Sequence, residues 1–198
     1  MGLYNKNRSH IGYGFFYIVG RTAKWLSKND PTLTNTGMNT QQKRVQRLLL
    51  WPPGFIWYMA RKLPSVLFWG IRVLQLNANH CRTQLPFSWR TKNPFRSIYF
   101  SALCGAAELA SGALCLFHTS GTGSYSMLVT EFEAEFIKKA TQTVTMECRE
   151  GNRIHEALQA LKQPGDSCQI SLAVSGLHPD GETLARFRVT WSFKRRHP

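Results

Sequence analysis

Between Ser97 and His118 the chain runs apolar with a single formal charge, Glu108. A run of this length has two homes, a bilayer or the middle of a globular fold. The bilayer is disfavoured on three counts. A carboxylate near the centre of the run is expensive in lipid, no second span exists, and the sequence beyond it alternates like soluble β-structure. The run is also rich in small residues, among them Ala102, Gly105, Ala106, Ala110 and Gly112. These predict a buried helix, apolar on all sides, that lets strands approach closely.

The rest of the chain supplies those strands. Ile71–Leu76 and His80–Phe87 flank the turn Asn77–Asn79 and predict a hairpin. In Met127–Phe136, residues Leu128, Thr130, Phe132, Ala134 and Phe136 share one parity, and Glu131, Glu133 and Glu135 the other. That acidic face is either wet or opposite basic neighbours. Thr141–Arg149, the run from Cys168 to Val174 and the run from Arg186 to Phe193 alternate as further strands, and Ile154–Leu161 has the i, i+3, i+4, i+7 spacing of a short helix. Hairpin-length links predict an α+β fold with a largely antiparallel sheet.

Charge and hydrophobicity divide the chain. Residues 1–62 hold ten Lys and Arg against Asp30 alone, and residues 63–198 hold fifteen against ten acids, within a net charge of +14. The excess suits an anionic partner, or is a solvated basic tail. Residues 1–42 read as a basic N-terminal extension, with Met38 a second candidate translational start, and residues 43–198 as the folded domain. Ile11–Gly20 follows Lys6 and Arg8 as in a signal sequence, but Arg21 and Lys24 interrupt and no small-residue cleavage site follows cleanly. Residues 43–62 predict an amphipathic helix broken at Pro52-Pro53, which either caps an open end of the core or lies on a membrane surface through Trp51 and Trp57. Five cysteines without a CxxC pair argue against a disulfide scaffold and a cysteine zinc site, and the expected compartment is the reducing cytoplasm.

Chemistry concentrates at Glu108. A buried carboxylate needs a partner or a function that justifies its desolvation. Ser101 lies two turns earlier on the same helix face, about 10 Å away at 1.5 Å per residue. A helix starting near Ser101 would aim free N–H groups and a positive dipole end at an anion or a carbonyl oxygen. The other reading pairs Glu108 with an Arg or a hydroxyl at a subunit contact. The six histidines have no metal-ligand spacing and no GxSxG nucleophile turn is present, so neither metal nor cofactor is expected.

Asn93-Pro94-Phe95-Arg96-Ser97-Ile98-Tyr99-Phe100-Ser101-Ala102-Leu103, followed by Ala106-Ala107-Glu108-Leu109-Ala110-Ser111-Gly112, resembles the signature of hotdog-fold acyl-CoA thioesterases of the phenylacetate-pathway type. It is more similar still to an uncharacterised, thioesterase-like hotdog family. The segments Phe136–Ala140 and Arg188–Arg196 are similar to that family too, and the likeness spans residues 43–198. The resemblance implies a long helix wrapped by a curved antiparallel sheet, a homodimer or homotetramer, and an acyl-CoA or related thioester bound between protomers. It further implies that Glu108 activates water or attacks directly, that Asn93 orients the water or the thioester, that Tyr99, Phe100, Ser101 and Ala102 bind the substrate, and that the backbone N–H groups at Ser101 or Ala102 polarise its carbonyl. Tyr99-Phe100-Ser101 stands where that type has His-Gly-Gly. The departure keeps open a second reading, a non-catalytic acyl- or lipid-binding module. Nucleic acid is not an expected partner, and peripheral contact with a membrane stays open.

Overall fold

The computed structural model describes residues 37–197. The readings made for Lys6–Lys24 therefore lie outside the described residues. The folded unit begins at Gly37. Three helices lead: α1 (Thr40–Leu50), α2 (Pro52–Lys62) and α3 (Pro64–Trp69). Asn39 caps α1 by accepting from the Gln42 N–H at 2.8 Å, while the Gln42 side chain accepts from the Asn39 N–H at 3.0 Å. The Asn39 carboxamide also donates to the Ser120 carbonyl at 3.0 Å, which ties the start of the domain to the far end of its central helix.

α3 is a helix that the sequence reading did not include, ahead of the predicted hairpin. Pro64 occupies the first helical turn, where its fixed φ and missing N–H cost nothing. Gly70 then ends the helix in the left-handed region at φ 72°, and β-structure starts two residues on.

The hairpin β1 (Arg72–Leu76) and β2 (Cys81–Leu85) follows as expected, its turn held by the Asn77 side chain, which accepts from the N–H groups of Asn79 and His80. Then come the central helix α4 (Phe100–Thr119), β3 (Tyr125–Phe136), β4 (Val144–Cys148), α5 (Gly151–Ala160), β5 (Ser167–Leu177) and β6 (Thr183–Arg195). The six strands form one sheet in the order β1-β2-β4-β5-β6-β3, and every pairing is antiparallel.

α4 has the length and hydropathy of a membrane span but packs against the sheet, chiefly β2, β4 and β5. Ala102, Ala106, Ala107, Ala110 and Leu114 are buried there beneath Leu85, Val144, Met146, Leu172 and Val189. The buried Thr83 hydroxyl donates to the Ala106 carbonyl at 3.0 Å, fixing the height of the helix on the sheet.

β3 corrects the parity read from sequence. Val129 pairs with Trp191 and Glu131 with Thr190, so Thr130 is the extra residue of a β-bulge. The bulge reverses the facing of everything before it. Leu128 therefore lies on the outer side with Glu131, while Phe132, Ala134 and Phe136 face inward. On the outer face Glu133 meets Arg188 at 3.3 Å and Glu135 meets Arg186 at 3.2 Å, exposed cross-strand pairs that set register more than they add stability.

Candidate active site at the open face of the central helix

α4 is not enclosed on all sides. Ser101, Cys104, Glu108, Gly112 and Leu116 recur at helical spacing and are only half-buried, while the residues between them, Gly105 apart, are buried. The stripe is open along its length but crowded at two glycines. A Cβ on Gly105 would fall 2.6 Å from the Trp69 ring, and one on Gly112 would fall 3.0 Å from the Trp191 ring and 3.8 Å from Glu108 Oε1. The small residues thus let two indoles approach the helix backbone, and Glu108 stands between them.

Burial pushes the Glu108 carboxyl above its ordinary value, and desolvation is the cause. No side chain among the described residues donates to it, so none of them offsets that penalty. Around it runs a hydrogen-bond chain: the Trp191 indole N–H donates to Ser111 Oγ at 3.0 Å, and the Ser111 hydroxyl donates to the Glu108 carbonyl at 3.1 Å. Trp191 and Ser111 thereby hold the turn that carries the carboxylate against β6.

At the other end of the stripe the helix opens without a side-chain cap. Tyr99 is the N-cap in extended conformation, and its carbonyl accepts from the N–H groups of Ala102 at 3.0 Å and Leu103 at 3.3 Å. The Ala102 N–H, one of the two expected to polarise a substrate carbonyl, is therefore already engaged. Phe100 and Ser101 keep N–H groups without a carbonyl partner among the described residues, at the positive end of the helix dipole.

Asn93 shapes the loop before this turn. Its Oδ1 accepts from the N–H groups of Phe95 at 3.0 Å and Ser97 at 3.1 Å, and its Nδ2 donates to Ser97 Oγ at 3.0 Å. These bonds hold Arg96 at φ 59°, the only non-glycine among the described residues with positive φ. The carboxamide expected to orient water makes these bonds within its own loop. Asn93, Tyr99 and Phe100 line a groove of about 550 Å³ with Phe136, Lys138 and Lys139. The rings of Tyr99 and Phe100 meet edge-on at 5.0 Å, and those of Phe100 and Phe136 at 6.3 Å.

Residues 54–193 match the domain family described as a domain of unknown function, DUF4442. The chain belongs to this family. Solved structures share its fold. A Pseudomonas aeruginosa protein of unknown function, named a probable thioesterase, matches with TM-score 0.62 and 23% identity over 80% of this chain and 99% of its own. A Haemophilus influenzae thioesterase matches with TM-score 0.55 and 14% identity over 72% and 90%. A mutant thioesterase from Pseudomonas aeruginosa matches with TM-score 0.54 and 19% identity over 70% and 91%. No functionally curated protein matches in sequence. These likenesses show the fold: the DUF4442 domain is a hotdog, with α4 as the central helix and the six-stranded sheet around it.

Within this one DUF4442 chain the groove and the carboxylate are separate. Glu108 does not line the groove. It lies eight residues along α4 from Phe100, about 12 Å at 1.5 Å per residue. Trp191 and Ser111 escaped the sequence reading because an alternating strand and a small-residue helix each explain them alone. The signal that could have found them is that a buried indole N–H requires an acceptor.

Proposed function

We propose that this DUF4442 protein hydrolyses an acyl thioester of the acyl-CoA type, at a site that two copies of the chain complete together. The observation that carries the reading is Glu108, a half-buried carboxylate on the uncovered stripe of α4 with no side-chain partner among the described residues. Such a group is desolvated enough to be a better base than an ordinary carboxylate, and open enough to meet a reacting group.

A second copy supplies what one chain lacks. β3 is the sheet edge beyond β6, and its inward-facing Phe132 and Phe136 remain 36% and 47% exposed. A twelve-residue edge with inward aromatic side chains in water calls for cover. Pairing β3 edges would lay a second α4 alongside the first in opposite direction, bringing Glu108 of one copy toward the helix start of the other.

In the mechanism the thioester carbonyl oxygen sits at the Phe100 and Ser101 N–H groups, which bear the developing negative charge. The Glu108 carboxylate takes a proton from water as that water attacks the carbonyl carbon, and returns it to the departing thiolate, so acid and thiol leave with one water consumed. Asn93 keeps the loop in the shape that aims the helix start. Lys139, which lines the groove, and Arg96, exposed in the loop that carries Asn93, suit the phosphates of CoA. Phe95, Phe100 and Phe136 offer the acyl chain an apolar wall. The reaction fits the cytoplasm, where acyl-CoA is available and the five cysteines stay reduced.

The loss of Gly-Gly, with Phe100 at the helix start, favours the other reading, an acyl-binding module without turnover. Thiol release measured over short, medium, long and aromatic acyl-CoAs with the full chain separates the two. Release that saturates with substrate supports hydrolysis. Tight binding of acyl-CoA with no thiol released would replace hydrolysis by binding.

A further inference from the structure

Residues 37–107 contain three Lys and seven Arg and no Asp or Glu, and the acids resume only at Glu108. This stretch builds α1, α2, α3, the first hairpin and the loop into α4. Its own formal charges are therefore all cationic, with Arg82 meeting Glu147 of β4, while the acids beyond Glu108 lie on β3, β4 and α5 and in the connections around α5 and between β5 and β6.

The same stretch exposes the large aromatic residues that a water-facing surface would be expected to bury. Trp51 is 56% exposed, Trp57 59%, Phe68 54% and Trp89 77%. They follow one another across α2, α3 and the loop after β2. The Arg61 guanidinium stands 4.8 Å over the Trp57 ring, and the rings of Phe68 and Trp89 meet edge-on at 6.3 Å, joining α3 to that loop. On α2 the core-facing side is Phe55 and Met59, and Trp57 and Arg61 project from the opposite side. Pro52 and Pro53 at the α1–α2 junction are exposed as well.

We propose that this face docks on an anionic lipid bilayer, with Trp57, Phe68 and Trp89 seated at the headgroup level and Arg61, Lys62 and their neighbours against lipid phosphates. Indole rings beside cations are the side chains favoured at a membrane–water interface, where an apolar body and a polar edge are both satisfied. Charge selects among occupants. A second copy of the same face would set cations against cations. Nucleic acid would meet the cations, but it gives no account of large aromatic side chains, Trp57 on α2 and Phe68 on α3, exposed on two helices beside Trp89. An anionic bilayer matches both features. The inference stands independently of the thioester reading, because none of Trp57, Phe68, Trp89, Arg61 and Lys62 belongs to the proposed site.

The test is flotation of the full chain with phosphatidylcholine vesicles made with and without phosphatidylglycerol, at about 0.1 M and about 1 M salt, where the screening length drops from about 10 Å to about 3 Å. Binding is expected only to the anionic vesicles, weaker at high salt, with a blue shift of tryptophan emission. Arg61→Ala with Lys62→Ala should weaken it roughly 25-fold, at about fivefold per cation near the surface. Trp57→Ala with Trp89→Ala should weaken it about tenfold and remove the blue shift. Both pairs are exposed, so unfolding midpoints should match the parent and certify the fold. Equal binding to neutral vesicles, no binding to either, or full binding by both double variants would overturn the proposal. So would salt-sensitive capture of single-stranded RNA through these residues in the absence of vesicle binding.

Discussion

Ser111→Ala tests the hydrogen-bond chain that carries the carboxylate. Ser111 Oγ is the acceptor for the buried Trp191 indole N–H, at 3.0 Å. Removing it strands that N–H where water does not reach, since Ser111 is fully buried and Trp191 is 6% exposed. An unsatisfied buried donor costs about 1–3 kcal/mol. The Glu108 carbonyl also loses the hydroxyl, but as a helical carbonyl it retains its main-chain donor. Alanine returns a few tenths of a kcal/mol in helix propensity. The net expectation is a loss of about 1–2 kcal/mol, or roughly 2–8 °C in melting temperature for a domain of this size. Urea unfolding and thermal melts of the single variant, Trp191→Phe and the double variant complete the cycle. The double variant removes donor and acceptor together, so its loss should fall short of the summed single losses by about 1 kcal/mol. Strict additivity would show that the indole and the hydroxyl are not coupled and would remove Trp191 as the strut of the Glu108 turn.

Four other outcomes follow from the same structure. Gly151→Ala would place a Cβ 1.9 Å from the Ala78 carbonyl oxygen, a backbone clash that should cost about 1–3 kcal/mol in urea unfolding while leaving thiol release per folded molecule unchanged. The pH profile of kcat/KM should show an acid limb above the ordinary carboxylate range: Glu108 must be ionised to act as base, its pKa is raised, and activity is lost as pH falls through that raised value. The sign for stability is opposite. The folded state favours protonated Glu108, so the parent should gain stability relative to Glu108→Gln as pH falls, and Glu108→Gln should melt higher than the parent at neutral pH, as differential scanning calorimetry would record. Gly112→Leu, which fills the narrow part of the open stripe against Trp191, should shift the protein toward monomer in sedimentation velocity and reduce thiol release with it.

How legible the molecule was in its sequence depended on whether a feature is local. The element order from the first hairpin to β6 follows from periodicity and turn residues, because alternation and helical spacing are properties of neighbouring residues. The bulge at Thr130 did not show, since Leu128 and Thr130 keep the parity of Phe132 on paper and only pairing with β6 reveals the slip. α3 was missed because Pro64 reads equally as a breaker and as a first helical residue, and Gly70 decides between them only when its φ is known. The central helix was recognised by its apolar run, but its open stripe was not, because Ser101, Cys104 and Gly112 are small enough to suit either a packed or an uncovered face. At the site, Glu108 announced itself as the lone charge. The commitments of Asn93 to its loop and of the Ala102 N–H to Tyr99 are hydrogen-bond facts that residue identity leaves undetermined.

The central claim is that the uncovered carboxylate on α4 performs the chemistry, and thiol release by Glu108→Gln tests it most directly. The substitution keeps shape and removes the base. With oligomer size and circular dichroism equal to the parent's, the account predicts a fall in kcat of about 100-fold or more. Release at the parental rate by a folded, assembled Glu108→Gln protein would contradict it and would leave the open stripe of α4 as an assembly surface alone.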